Sequence, residues 1–251
     1  MWFGQLVSLV GSKLTGFALG VWVFQITGSV TRFALIMVFT ALPGVVLSPL
    51  AGAFVDRWDR RRTMILSDTG SGLCTLGVAL LLALGRLEVW HIYLLMAVSS
   101  AFGAFQWPAY SASISLLVPK SQYGRASGLV QLAQATAQIV APVVAGVLLG
   151  VIGLPGIILI DFSTFLFAVS TLLLVKIPRP ARTAAEGRKP SIWQEAWEGW
   201  RYIVSQRGLL VMLALFGLAN FTIGIVYVLF TPLVLSFSTA AVLGTLLSVG
   251  G

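Results

Sequence analysis

Seven long apolar stretches, each about the length needed to cross a bilayer, restrict the folds open to this sequence. A membrane-spanning helix needs about 20 mostly apolar residues. Only helices and closed barrels span a bilayer, because lipid leaves no partner for unpaired backbone groups. An eighth stretch begins near Thr239 and reaches Gly251. We therefore expect an all-α integral membrane protein with apolar spans at 3–27, 33–54, 63–84, 90–118, 124–150, 154–175 and 208–236.

The composition is typical of a protein surrounded by lipid and provides few residues of the types that catalyse reactions. Hydrophobic residues make up 58% of the chain and charged residues 10%, against roughly 45–50% and about 25% in soluble domains. The single Cys74 rules out a disulfide framework within the chain, and the single His91 is expected near a helix end. The sequence has no nucleotide-binding loop, hydrolase elbow or zinc-protease motif. We predict no enzyme activity, no cofactor and no metal.

The net charge of +8 follows a membrane topology and does not indicate nucleic-acid binding. With the N-terminus inside, thirteen Lys and Arg residues fall in inner loops and two, Arg32 and Arg86, in outer loops. Lys13 is left within the first span. Inner loops of membrane proteins carry the excess of basic residues. We therefore predict a cytoplasmic N-terminus in a bacterial inner membrane, with basic loops that contact anionic lipid head groups.

A polar segment divides the chain. Its first part, 177–190, is rich in Pro, Ala and Arg and is expected to be irregular. Its second part, about 191–206, repeats Trp193, Trp197 and Trp200 at helical spacing, so it is predicted to be an amphipathic helix on the membrane surface. A loop helix packed on the underside of the bundle is the other interpretation. The predicted domains are an N-terminal six-helix bundle at 1–175, a cytoplasmic linker at 176–207 and the truncated start of a C-terminal bundle at 208–251.

Two short runs carry a resemblance to a known family. The run between the second and third spans reads Gly, three residues, Asp-Arg, one residue, Asp and three Arg. It resembles the loop motif of the major facilitator superfamily, which has Gly where this chain has Asp59. A second run, from Ala141 through Pro142 to Gly146, is similar to the Gly/Pro motif of that family's exporters. The loop-motif residues are Gly52, Asp56, Arg57, Asp59, Arg60, Arg61 and Arg62.

The resemblance extends over the whole chain and is strongest to the subgroup of bacterial macrolide and siderophore exporters. It implies secondary active, proton-coupled efflux of drug-like or siderophore-like amphiphilic molecules by alternating access. It also implies a gating role for the loop motif, foremost for Asp56 and Arg60. The arginines of the motif would bridge to acidic groups or exposed carbonyls of neighbouring helices. The other interpretation is that the arginines only hold the loop at the inner face.

Polar side chains recur on one face of several spans, and lipid retains such groups only where they face protein or water. In the family, helices 1, 4 and 7 line the substrate cavity and helix 5 borders it. An amide-rich and aromatic lining would suit a bulky amphiphile, although hydrogen-bonded helix packing would give the same stripes. The cavity candidates are Ser12, Thr15, Trp22, Gln106, Trp107, Tyr110, Gln131, Gln134, Gln138, Asn220 and Tyr227.

Three charges fall inside the spans, where each costs roughly 2.5–3.5 kcal/mol to insert. Asp68 is expected to pair with an arginine of the loop motif or with Arg125. Asp161 is a candidate proton carrier or a hydrogen-bonding group at a helix start. Lys13 is expected to pair with Asp161 or with another helix, or else to extend its ammonium towards water.

Three functions stay open at this stage. The chain could be an exporter of amphiphilic compounds, a related carrier of lysophospholipids, or a truncated membrane protein that does not transport. The fourth span carries no Lys or Arg, although proton-coupled drug exporters of the family often have one there. Met1 opens directly onto the first span and residue 251 falls inside the eighth. From these ends we expect an incomplete chain that needs a C-terminal half to transport.

Overall fold

The computed structural model describes residues 1–55, 57–175 and 192–250, and all regular structure in these ranges is helical. A short 3₁₀ turn at Lys120–Gln122 precedes the fifth helix. The helices are α1 (Trp2–Thr27), α2 (Val30–Val55), α3 (Arg60–Ala83), α4 (Val89–Leu117), α5 (Tyr123–Val151), α6 (Gly153–Leu174), α7 (Ile192–Ser205), α8 (Arg207–Phe237) and α9 (Ala240–Gly250).

The expected membrane class is confirmed. Seven helices in the described ranges are long and apolar enough to cross a bilayer, and their ends lie within three residues of the expected spans. The largest differences are at the starts of α2 and α3. The helix α3 begins at Arg60 because the Asp59 carboxylate accepts a hydrogen bond from the backbone N–H of Arg62 at 3.1 Å. A carboxylate in this cap position satisfies a helix donor that would otherwise have no partner.

The first six helices pack into one bundle. The most extensive contacts join α2 to α4, α3 to α4, α1 to α6, α1 to α5 and α3 to α6. Because successive helices reverse direction, the starts of α1, α3 and α5 meet the ends of α2, α4 and α6. We call this the basic end, because it carries the described cationic residues Arg57, Arg60, Arg61, Arg62, Lys120 and Arg125.

The helix α9 lies against α5, at the run that resembles the exporter motif. A side chain at Gly146 would overlap the backbone of Ala240, and one at Gly244 would overlap the carbonyl of Pro142. Small residues at such crossings let two backbones approach closely within a membrane. The Pro142 and Gly146 segment is therefore a packing surface for α9.

The remaining helices contact the bundle less. The helix expected at about 191–206 is present as α7, which contacts α2 and α8 and leaves Trp197 66% and Trp200 50% exposed. The helix α8 is exposed along most of its length. The irregular linker expected at 177–190 lies outside the described residues. The division into domains and the placement of α7 on a membrane surface stay predictions.

Replacing Gly146 by Val should separate α9 from α5. The added side chain must displace backbone, and overpacking of this kind costs roughly 1–3 kcal/mol. The matched control is Gly150→Val, one helical turn later on α5, where an added Cβ meets nothing within 4 Å. Thermal unfolding in detergent should show a lower midpoint for Gly146→Val alone. Equal midpoints for the two variants would contradict the packing described.

Candidate functional site

An open cavity of about 700 Å³ lies among the six bundle helices. This volume is within the range of sites that hold drug-sized molecules. All three charges expected within spans, Lys13, Asp68 and Asp161, are on its wall. The cavity candidates that the structure brings together here are Ser12, Thr15, Gln106, Trp107, Tyr110, Gln134 and Gln138, with Pro142 beside them.

Four candidates lie elsewhere. Trp22 packs against the buried core of the bundle. Gln131 lines a separate cavity of about 360 Å³ that it shares with Trp107 and Tyr110. Asn220 and Tyr227 are exposed on α8, where Asn220 donates to the Phe216 carbonyl of its own helix at 2.8 Å. The spacing of polar residues along a helix shows which face of the helix is polar. It does not show which neighbouring helix covers that face.

A closed ring of hydrogen bonds surrounds Asp68. Gln5 Nε2 on α1 donates to Asp68 Oδ2 at 2.9 Å. Gln106 Nε2 on α4 donates to Asp68 Oδ1 at 2.8 Å and to Gln5 Oε1 at 2.9 Å. Three helices are thus joined at one carboxylate, which is 9% exposed. The expectation that Asp68 pairs with an arginine was wrong, because neutral amides take that place.

The number of hydrogens in this ring fits an ionised carboxylate. The ring has three contacts, and the two amides supply one hydrogen to each of them. A neutral amide at position 68 would force two donors or two acceptors to face each other, however the three groups are turned. A protonated Asp68 would bring a fourth hydrogen, which must break a contact or point out of the ring. The ring therefore distinguishes the charge state of Asp68 by its geometry.

Asp161 lies about two turns into α6 and faces hydroxyl groups. Its Oδ1 is 3.3 Å from Ser12 Oγ on α1, and its Oδ2 is 3.2 Å from Thr75 Oγ1 on α3. The carboxylate is 3% exposed. The expected role at a helix start was wrong, because α6 begins eight residues earlier at Gly153. Lys13 is exposed on the cavity wall and is not among the groups hydrogen-bonded to Asp161.

Sequence reasoning missed two partners of these carboxylates. Thr75 was not named, although Asp68, Ser71 and Thr75 follow one another at spacings of three and four along α3. Such spacing puts them on one face of the helix, and all three line the cavity. Gln5 precedes Ser12 by seven residues, which places both on one face of α1, but nothing in the sequence pairs Gln5 with Asp68.

The arginines of the loop motif bind helix carbonyls at the basic end. Arg60 Nη1 donates to the Ala112 carbonyl on α4 at 2.8 Å. Arg61 donates to two carbonyls in the last turn of α6, from Nε to Leu172 at 3.2 Å and from Nη2 to Leu173 at 2.6 Å. Carbonyls at a helix end lack intrahelical partners and attract cations. Exposed carbonyls were one of the two kinds of partner expected for the arginines of the loop motif. Asp56 lies outside the described residues.

The sequence profile of the Major Facilitator Superfamily matches residues 1–251. The chain belongs to this superfamily. The family consists of membrane transporters and not of enzymes, and the chain shares its character as a multi-pass helical membrane protein.

Several curated relatives in the superfamily are exporters. Macrolide efflux protein A of Streptococcus pyogenes is 30% identical over 213 residues, which cover 85% of this chain and 52% of the relative. The protein of that name from Enterococcus faecalis is 32% identical over 172 residues, 68% of this chain and 53% of the relative. Enterobactin exporter EntS of Shigella flexneri is 24% identical over 216 residues, 84% of this chain and 52% of the relative. The chain therefore spans about half the length of the relatives it matches.

Moving the charge from position 68 to position 5 should test the ring. In Asp68→Asn, one contact of the ring must bring two N–H donors face to face. In Gln5→Glu, a second carboxylate stands beside that of Asp68. Each change should lower the free energy of unfolding by roughly 1.5–3 kcal/mol, the range for hydrogen bonds to charged groups. The double variant Asp68→Asn/Gln5→Glu again supplies one hydrogen to each contact. In a double-mutant cycle by thermal unfolding it should recover most of the loss, and additive losses would contradict the ring.

Arg61→Lys should weaken the basic end. Lysine keeps the charge but loses the planar fork that reaches two carbonyls at once, so a loss of about 1 kcal/mol is expected. Arg125→Lys, at an exposed position of the same end, is the matched control. Hydrogen exchange should become faster at the end of α6 in the first variant only. Unchanged exchange there would mean that the Arg61 contacts do not hold α6.

Proposed function

We propose that this chain is the N-terminal half of a secondary active exporter of amphiphilic, drug-like or siderophore-like molecules that works by alternating access. Its N-terminus would lie in the cytoplasm of a bacterial cell and its helices in the inner membrane. The observation that carries the proposal is the open cavity of about 700 Å³, whose wall combines amides, aromatic rings and two carboxylates. The named functions of the macrolide and enterobactin exporters support it.

The lining of the cavity favours a bulky amphiphile over a small ion. Trp107, 48% exposed, offers a ring face to an apolar surface, and Tyr110 beside it is buried at 8% exposure. Gln134 and Gln138 offer donors and acceptors to scattered polar groups. Among the residues that line this cavity, Lys13 is the one cation. We therefore favour a neutral or cationic amphiphile over a strongly anionic one.

The loop motif would act as the gate at the basic end. The contacts of Arg60 and Arg61 tie the start of α3 to α4 and to the end of α6. Such contacts stabilise one arrangement of the helices and have to break when the halves of a transporter rock apart. Asp56 would contribute to the same gate through its place in the motif.

Proton coupling would act at Asp68. The ring of Gln5, Asp68 and Gln106 fits the ionised carboxylate, and protonation would bring a fourth hydrogen that competes for the same three contacts. A proton taken up from the cavity would therefore loosen the junction of α1, α3 and α4. The other ionisable groups on the same cavity wall are Lys13, Asp161 and Tyr110. This step would link the proton gradient to the shape of the cavity.

Transport by the longest reading frame that contains this chain tests the proposal. We expect it to lower the accumulation of a radiolabelled macrolide in a host that lacks its own drug pumps, and residues 1–251 alone to have no effect. Cells that express the Asp68→Asn variant should accumulate at least about tenfold more macrolide than cells that express the parent, close to the level of the pump-free host. A tenfold change corresponds to roughly 1.4 kcal/mol. Glu198→Gln, an exposed acid on α7, is the matched control and should behave as the parent.

Two outcomes would overturn parts of this proposal. If dissipating the proton gradient with an ionophore leaves efflux intact, the proton step at Asp68 is wrong. If the long reading frame changes the distribution of lysophospholipids between leaflets but not macrolide accumulation, the lipid-carrier function replaces the exporter.

A further inference from the structure

The second carboxylate of the cavity faces oxygen atoms and no described cation within ion-pair distance. Asp161 is 3% exposed, and its two oxygens are 3.3 Å from Ser12 Oγ and 3.2 Å from Thr75 Oγ1. The Thr15 hydroxyl lies beside the same carboxylate, is itself 3% exposed, and forms no hydrogen bond of normal geometry with any described residue. A buried hydroxyl without a partner costs free energy. A buried carboxylate without a counter-charge costs more.

The two hydroxyl contacts of Asp161 are long hydrogen bonds, and their lengths also fit oxygens that share a bound cation. Hydroxyl-to-carboxylate hydrogen bonds are usually 2.5–3.0 Å long, and both distances at Asp161 exceed that range. Oxygens that ligate a cation of calcium's size stand 2.3–2.6 Å from it. Adjacent ligands in an octahedral arrangement are then roughly 3.3–3.7 Å apart, by multiplying that distance by the square root of two. The two hydroxyl-to-carboxylate distances at Asp161, 3.3 Å to Ser12 Oγ and 3.2 Å to Thr75 Oγ1, are close to that separation.

Three packed helices supply this group of oxygens. Ser12 and Thr15 are on α1, Thr75 is on α3 and Asp161 is on α6. At Gly11 the helix α1 lies so close to α6 that an added Cβ would stand 2.9 Å from Asp161 Oδ1. The ligands therefore come from three packed helices and need little reorganisation to bind.

We propose that Asp161, Ser12, Thr15 and Thr75 form a binding site for a monovalent metal cation of sodium's size, reached from the cavity. The carboxylate supplies one negative charge, which balances the single positive charge of the ion. Any uncompensated charge would be costly in this buried, low-dielectric surrounding. The three hydroxyls turn their lone pairs towards the ion on binding. A proton needs one acceptor, whereas the site gathers five oxygens. The site is separate from the proposed proton step at Asp68, and its binding can be measured without transport.

Direct binding of ²²Na⁺ to the purified 251-residue chain in nanodiscs tests the site, with choline replacing sodium to hold ionic strength constant. Thr15→Val removes the hydroxyl beside Asp161 while keeping the shape, and should weaken binding at least about tenfold, since even outer-shell partners of metals contribute that much. Thr222→Val is the matched control, because that hydroxyl donates to Leu218 of its own exposed helix. Asp161→Asn should abolish binding. If Asp161→Asn does not fold, the comparison of Thr15→Val with Thr222→Val decides.

Each further result supports or overturns the site. Displacement of ²²Na⁺ by Li⁺ or Na⁺ but not by choline supports it. Absence of saturable ²²Na⁺ binding at neutral and alkaline pH, in chain that circular dichroism shows to be folded, would mean that Asp161 takes a proton instead. Binding that appears only in Lys13→Gln would mean that the Lys13 ammonium occupies the site in the parent chain. Either of these last results overturns the proposal and leaves the exporter function to its own test.

Discussion

The amide of Gln106 makes the contact on which the rest of the cavity depends. It gives one hydrogen to Asp68 and one to Gln5, so a single side chain of α4 joins α3 to α1. A carboxylate in a bilayer is expensive unless it is fully hydrogen-bonded. Within the described residues, the bundle meets this demand at Asp68 with the neutral amides of Gln5 and Gln106. A carboxylate with neutral partners can take up a proton, which a neighbouring arginine would oppose.

The two carboxylates of the cavity are satisfied in different ways. Asp68 is held by amides, which cannot exchange donor for acceptor without turning over and breaking the ring. Asp161 is held by hydroxyls, each of which can rotate and present either a hydrogen or a lone pair. The amide ring around Asp68 therefore responds to the charge of that carboxylate. The hydroxyls around Asp161 can adapt to either a hydrogen-bond donor or a cation. One wall of the cavity thus carries two chemically distinct sites that share α1 and α3, with α4 completing the first and α6 the second.

The helices could be predicted from sequence because each apolar run must bury its backbone polar groups within itself, whatever its neighbours are. Most of the cavity wall followed as well, since polar faces are retained only against protein or water. The partners of the charges could not be predicted. Pairing Asp68 with arginines assumed that opposite charges meet, but Arg61 binds the open carbonyls at the end of α6 and the amides bind Asp68. Nothing local in the sequence indicates that α9 covers Pro142 and Gly146, because that contact depends on which helices meet across the bundle.

Along α3, the proposed gate and both carboxylate sites occur at regular intervals. Arg61, Asp68 and Thr75 follow one another every seven residues, close to two turns, so they share one face and stand about 10 Å apart. Arg61 holds the end of α6, Asp68 closes the amide ring and Thr75 faces Asp161. A rotation or shift of α3 as a rigid rod changes all three contacts together. In the proposed proton step, loss of the ring at Asp68 would therefore act on the arginine contacts through one helix and would need no chain of side chains to carry the effect.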